Sequence, residues 1–136
     1  MLREILYKQT SMPLYSNALD AYAARQRAIA SNLANVETPR YEARKVSFED
    51  RLRRALGRVE EPLQSTNSGH MPVTSDPAEV KYLVVKDEAD ISQNGVNNVD
   101  IEKQMTELAV TQMQYDMTAR RAQGLFNKMR SLTKLS

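Results

Sequence analysis

The sequence predicts a mainly α-helical protein. Long N- and C-terminal helices form an antiparallel, coiled-coil-like pair, and a short irregular middle holds a small helix and one candidate strand. Three observations predict this. Apolar residues recur at heptad spacing near both ends, over Tyr15–Val36 and Ile101–Met129. Between them lie Pro62, Pro72, Pro77, Gly69 and many Ser and Thr, which break regular structure. Core-building side chains are scarce, with no Trp and two Phe in 136 residues. Apolar surface must therefore be buried along helices or between chains.

The first helix opens near Pro13, whose missing N–H costs nothing in a first turn. Thr10 and Ser11 are candidate caps just before it. Tyr15, Leu19, Tyr22, Gln26, Ile29, Leu33 and Val36 follow in alternating steps of four and three. They make a seam roughly 32 Å long with one polar member, Gln26. The stretch SNLANVETPRY, residues 31–41, stops it. Thr38 precedes Pro39 and is pushed toward extended geometry. Asn35 tolerates the left-handed conformation common past helix ends. The chain is expected to leave extended through Tyr41.

In the middle, SFEDRLRRALG (47–57) reads as a brief helix. Ser47 is its cap, Glu49 and Asp50 lie in the first turn, and Gly57 is the exit. Its apolar face is Phe48, Leu52, Ala55 and Leu56. Residues 58–78 read as loop, Val80–Lys86 as a strand rich in β-branched and aromatic residues, and 87–97 as loop with a turn at Asn94-Gly95. The second long helix starts near Asn98 as cap, with Asp100 and Glu102 in its first turn. Its seam is Ile101, Met105, Leu108, Gln112, Tyr115, Ala119, Ala122, Phe126 and Met129, roughly 42 Å long. Pairing Val36 with Ile101 layers Leu33 on Met105 and Ile29 on Leu108. It also brings Gln26 to Gln112, where two buried amides would fix register. The chain thus divides into an N-terminal helical region (1–41), a middle (42–97) and a C-terminal helix (98–136), together one domain. Single helices are marginal in water, and about six large apolar side chains per seam barely offset the entropy of ordering. The helices are expected to need neighbours.

Several functions are disfavoured. With no cysteine there is no disulfide, thiolate nucleophile or cysteine metal site. A net charge of +2 is too small for a dedicated nucleic-acid binder. The basic cluster Arg40, Arg44, Lys45, Arg51, Arg53, Arg54 and Arg58 is interrupted by Glu42, Glu49 and Asp50. It reads as inter-subunit ion pairs or a solvated face. His70 is the only histidine. A metal would need Glu60, Glu61 or Asp76 to converge on it, so it reads as a solvated loop residue. No catalytic constellation, metal site or cofactor site is expected. Tyr15, Tyr22 and Tyr115 read as packing residues, and Met105, Met113, Met117 and Met129 as adaptable ones. No apolar run is long enough for a transmembrane segment, and the first residues lack the features of a cleaved signal.

ASNLANVETPRY (30–41), closing the first helix, resembles one signature of the flagellar basal-body rod and hook family. NNVDIEKQMTEL (97–108), opening the second, resembles that family's other signature. The motif residues are Ser31, Asn32, Leu33, Ala34, Asn35, Thr38, Pro39, Tyr41, Asn98, Val99 and Asp100. The likeness covers roughly residues 10–41 and 97–132. Only about 55 residues intervene, which is similar to the short proximal-rod members. Arg40 and Gln104 depart from the pattern. Many relatives carry a small residue at the first position and an acid at the second.

The resemblance implies a structural, non-enzymatic subunit of the proximal rod. Such a subunit leaves through the flagellar type III apparatus without cleavage and assembles by helix packing in the periplasm. Leu2, Ile5 and Leu6 would be apolar candidates within an export signal. Implied partners are other copies, the rod proteins FlgC and FlgF, the adaptor FliE, and the MS-ring protein FliF or the export gate. The alternatives are the other proximal-rod type, FlgC itself, or a small helical export chaperone or adaptor.

Overall fold

The computed structural model describes residues 11–56, 76–87 and 97–134. Two long helices dominate, α1 (Met12–Ala34) and α3 (Ile101–Lys134). Between them in sequence lie strand β1 (Arg44–Ser47), helix α2 (Glu49–Ala55), a 3-10 turn (Pro77–Glu79) and strand β2 (Leu83–Lys86). Thr10, Gly57, Arg58, Glu60, Glu61, His70, the Asn94-Gly95 turn and the apolar candidates Leu2, Ile5 and Leu6 lie outside the described residues.

Helix α1 carries Pro13 in its first turn. Ser11 holds the N-cap position, but its side chain makes no capping bond. Asn35 is the C-cap with φ −109°, so it is not left-handed as expected. Nor does the chain leave extended. It folds into two turns, with the Thr38 N–H donating to the Asn35 carbonyl (3.0 Å) and the Tyr41 N–H to the Thr38 carbonyl (3.3 Å). The left-handed residue is Arg40, at φ 61°.

The long helices pack side by side and run antiparallel. Hydrogen bonds join Asn32 to Gln104 and Arg25 to Gln114, so positions fall along α1 as they rise along α3. The stripe of α1 facing α3 includes Arg25, Ala28 and Asn32, again at heptad spacing. On α3 it is Gln104, Thr111, Gln114 and Thr118. Each stripe lies one residue before the predicted seam, a rotation of about 100°. The axial register is close to expectation, since Asn32–Gln104 stands one residue back from Leu33–Met105 on both helices. The Gln26–Gln112 layer is not the one that joins them, and Gln112 is exposed. The cause is packing and polarity together. The amides of Asn32 and Gln104 satisfy one another, while the alanines of α1 are taken up by Val46, Phe48 and Val80.

The core is small. Ala18, Ala21, Ala24 and Ala28 of α1 meet Val46, Phe48 and Val80, with Leu14, Tyr22, Leu52, Ala55 and Tyr82 around them. Phe48 is the largest fully buried side chain. Its ring meets Tyr22 edge-on, with centroids 6.5 Å apart. Phe48 also takes the N-cap position of α2, where Ser47 was expected. Ser47 instead ends β1.

The middle is more ordered than its composition suggests. β1 and β2 form an antiparallel ribbon pairing Arg44 with Lys86, Lys45 with Val85, Val46 with Val84 and Ser47 with Leu83. A two-stranded ribbon is marginal alone. Val46 turns inward onto the alanines of α1 and anchors it. Asp76 caps the 3-10 turn through the Ala78 N–H (2.8 Å), and Asn17 of α1 donates to the Ala78 carbonyl (2.8 Å). This seats Val80 in the core.

Candidate assembly site: the signature junction and the outer faces of α3

The two signatures, some sixty residues apart in sequence, meet in space. Asn32 is the hub, buried to 1% exposure. Its Nδ2 donates to the Arg44 carbonyl and to Gln104 Oε1, both at 2.8 Å. Its Oδ1 accepts from the Arg44 N–H (2.9 Å) and the Tyr41 hydroxyl (3.1 Å). Because the Tyr41 proton is committed there, Ser31 Oγ must donate in the 3.1 Å Ser31–Tyr41 contact. One amide side chain thus ties α1 to β1, to Tyr41 and to α3 with every polar site used.

Asn97 does the same for the end of α1. Its Nδ2 lies 2.8–3.0 Å from the carbonyls of Asn35, Val36 and Thr38. These carbonyls follow a helix end and need donors. Two N–H groups shared among three acceptors fold the chain into turns, which is why the extended exit does not occur. Asn97 Oδ1 accepts from the Val99 N–H (2.9 Å).

Asn98 was expected to cap α3. It instead accepts from the Ala43 N–H and donates to the Asp87 carbonyl, both at 2.8 Å, closing the end of the ribbon. The cap is Asp100, whose Oδ1 accepts from the Lys103 N–H (3.1 Å). Asp87 joins ribbon to helix through Lys45 (2.9 Å) and Lys103 (3.3 Å). Burial opposes its charge, but these two cations hold its carboxyl below the ordinary value.

A second polar cluster sits mid-helix. Arg25 forms a two-pronged ion pair with Glu49 of α2, donates to the Val46 carbonyl and to Gln114 (3.3 Å each), and lies 5.6 Å from the Tyr22 ring centroid. Burial resists ionisation of both partners, yet their hydrogen bonds and mutual charge win. Arg25 is raised and Glu49 lowered from their ordinary values. Burial, then the Glu49 charge, raises Tyr22.

Of the predicted seam, Ile29 is buried, and Tyr15, Leu19, Tyr22, Gln26, Leu33, Val36, Leu108, Ala119, Ala122 and Met129 are half-buried. Ile101, Met105, Gln112, Tyr115 and Phe126 are exposed. Of the motif residues, Asn32 and Val99 are buried. Ser31, Leu33, Asn35, Tyr41, Asn98 and Asp100 are half-buried, and Ala34, Thr38 and Pro39 are exposed. Sequence reading missed the alanine stripe, Asn97 and Gln104. Gln104 is only 3% exposed and completes the Asn32 hub. The spacing of alanines at 18, 21 and 28 was the available signal.

The outer surface of α3 is apolar on more than one side. Ile101, Met105 and Tyr115 form one exposed stripe, while Val110, Met113 and Met117 form another on a different face, Met113 being 66% exposed. Among the described residues no group of His, Cys, Asp or Glu is arranged to hold a metal, and no helix is long and apolar enough to cross a membrane. A thin core, a polar junction that fixes two helices, and large apolar side chains left outside are the features of a subunit that packs against other chains.

The comparisons agree. The family described as "Flagella basal body rod protein" matches residues 15–41. The flagellar basal body rod protein FlgB of Bacillus subtilis is 37% identical over 116 residues, covering 85% of this chain and 87% of that one. FlgB of Borrelia hermsii is 36% identical over 80% of this chain and 84% of its own. FlgB of Escherichia coli K12 is 30% identical over 82% and 84%. The chain belongs to the flagellar basal body rod proteins, in the FlgB group, a non-enzymatic structural family.

Proposed function

We propose that this basal-body rod subunit sits in the proximal rod, in the periplasm. There its terminal helices line up with those of neighbours in a tube that transmits torque and encloses part of the export channel. The heptad seams of α1 and α3 then pair in coiled-coil fashion with helices of other subunits, and residues 1–41, 42–97 and 98–136 act as one rod-core domain. Its neighbours are other copies, FlgC and FlgF, with FliE and then FliF or the export gate beneath. The chain reaches them through the flagellar type III apparatus without a cleaved signal.

One observation carries this reading. Over residues 101–117, α3 has apolar side chains on two outward faces as well as its contact with α1. Exposed apolar faces of this kind mark surfaces that other chains cover. Single seams suit dimers, whereas two outward faces suit a subunit enclosed by several others.

The chain has no cysteine, so single engineered cysteines report contacts cleanly. Ile101→Cys and Met113→Cys, introduced separately, should each cross-link in purified basal bodies, and to different neighbours. If neither position cross-links in intact basal bodies, both faces are solvent-exposed in the assembly and the reading fails.

A further inference from the structure

Arg40 combines three features. It is a long, branched-headed side chain at φ 61°, a conformation that costs a non-glycine residue free energy. It is exposed, as are Glu37, Thr38 and Pro39 beside it. Its guanidinium makes no hydrogen bond or ion pair within the described residues. Among the described residues, no polar contact of the Arg40 side chain itself offsets the strain.

The backbone on either side is held firmly. Asn97 grips the Thr38 carbonyl (3.0 Å), and the Tyr41 hydroxyl is fixed by Asn32 (3.1 Å). Pro39 fixes its own φ. Arg40 is thus trapped between two anchored residues and presented on a stiff turn at the end of the helix pair. Backbone strain of this kind persists where function requires it. A cation on a stiff turn has already lost much of the freedom that binding would remove.

We infer that Arg40 is an inter-subunit contact residue that docks on a carboxylate of the adjoining rod subunit. Guanidinium matches carboxylate in a two-pronged geometry that lysine cannot reproduce. The inference rests on the rod-subunit reading and adds one residue and one partner chemistry to it.

The test uses a strain lacking the native gene, complemented with the parent, Arg40→Gly, Arg40→Lys or Arg40→Glu. Swimming, basal-body yield and the melting temperature of each purified chain are measured. Glycine relieves the strain, so Arg40→Gly should melt higher than the parent and yet lose swimming. Arg40→Glu should lose swimming with an unchanged helical spectrum, and Arg40→Lys should keep part of it. Suppressors of Arg40→Glu should place a cation on a neighbouring subunit. Swimming at the parental level with Arg40→Gly or with a folded Arg40→Glu overturns the inference. An empty-vector strain that still builds rods would instead sink the rod reading, so the two failures are distinct.

Discussion

Asn32 shows how much one side chain can hold. It makes four hydrogen bonds at 1% exposure, two as donor and two as acceptor. Asn32→Asp keeps the shape and both acceptor roles, but aims a carboxylate at the Arg44 carbonyl and Gln104 Oε1. A buried acceptor left facing other acceptors loses about 1–3 kcal/mol. Urea denaturation followed by circular dichroism should show that loss at neutral pH and part of it recovered in acid, where the carboxyl regains a proton to donate. Equal midpoints for the two chains would mean the hub contributes nothing to stability. Arg40 is the opposite case. Replacing it by glycine removes the steric cost of the left-handed backbone, about 1 kcal/mol, and should raise the midpoint. Its neighbourhood was only half legible. Pro39 marks the stop of α1, but the turn that follows is made by Asn97, which no local pattern around residue 38 reveals.

Among the elements, the ribbon and α2 are held to the long helices by ion pairs as well as by the apolar contacts of Val46 and Phe48. Glu49 and Asp87 both have folded-state pKa values below their ordinary ones. A depressed carboxylate contributes stability above its unfolded-state pKa and loses it as pH falls through its folded value. The protein should therefore weaken on acidification from about pH 4.5 downward. Thermal melts across pH 3–7 would show it, and Glu49→Gln should flatten part of the slope. The alanine stripe makes a separate demand. Ala21 is wholly buried, so Ala21→Leu should overpack the α1 contact and cost about 1–3 kcal/mol.

The existence, order and approximate ends of α1 and α3 were readable because heptad spacing survives any tertiary context. The face each turns inward was not. Hydrophobicity ranks Leu33 above Asn32 and Met105 above Gln104, whereas the folded chain pairs the two amides. β1 was invisible for a similar reason. Arg44-Lys45-Val46-Ser47 has one apolar residue, and its partner lies 36 residues or more away.

For the whole molecule, the question is why the chain leaves so many large apolar side chains outside. Ile101, Met105, Val110, Met113, Met117, Phe126 and Leu132 are each at least 48% exposed, while the interior is lined by alanine. An ordinary monomer would bury the large residues and expose the small ones. The inversion makes sense if α1 and α3 are first joined through small and polar contacts, and the large residues are reserved for other chains. It predicts a separation of effects. Ile101→Asp and Met113→Asp alter exposed positions, so each should shift the stability of the isolated chain by no more than about 0.5 kcal/mol. In the assembly each would bury an unpaired charge, which is far more costly. Both variants should fold as the parent does by urea denaturation, and both should be missing from purified basal bodies. Asn127→Asp, also exposed but lying between the two apolar stripes, should be incorporated. If both substitutions destabilise the lone chain as much as they impair assembly, the outer faces serve folding, and α3 is not held in reserve for neighbours.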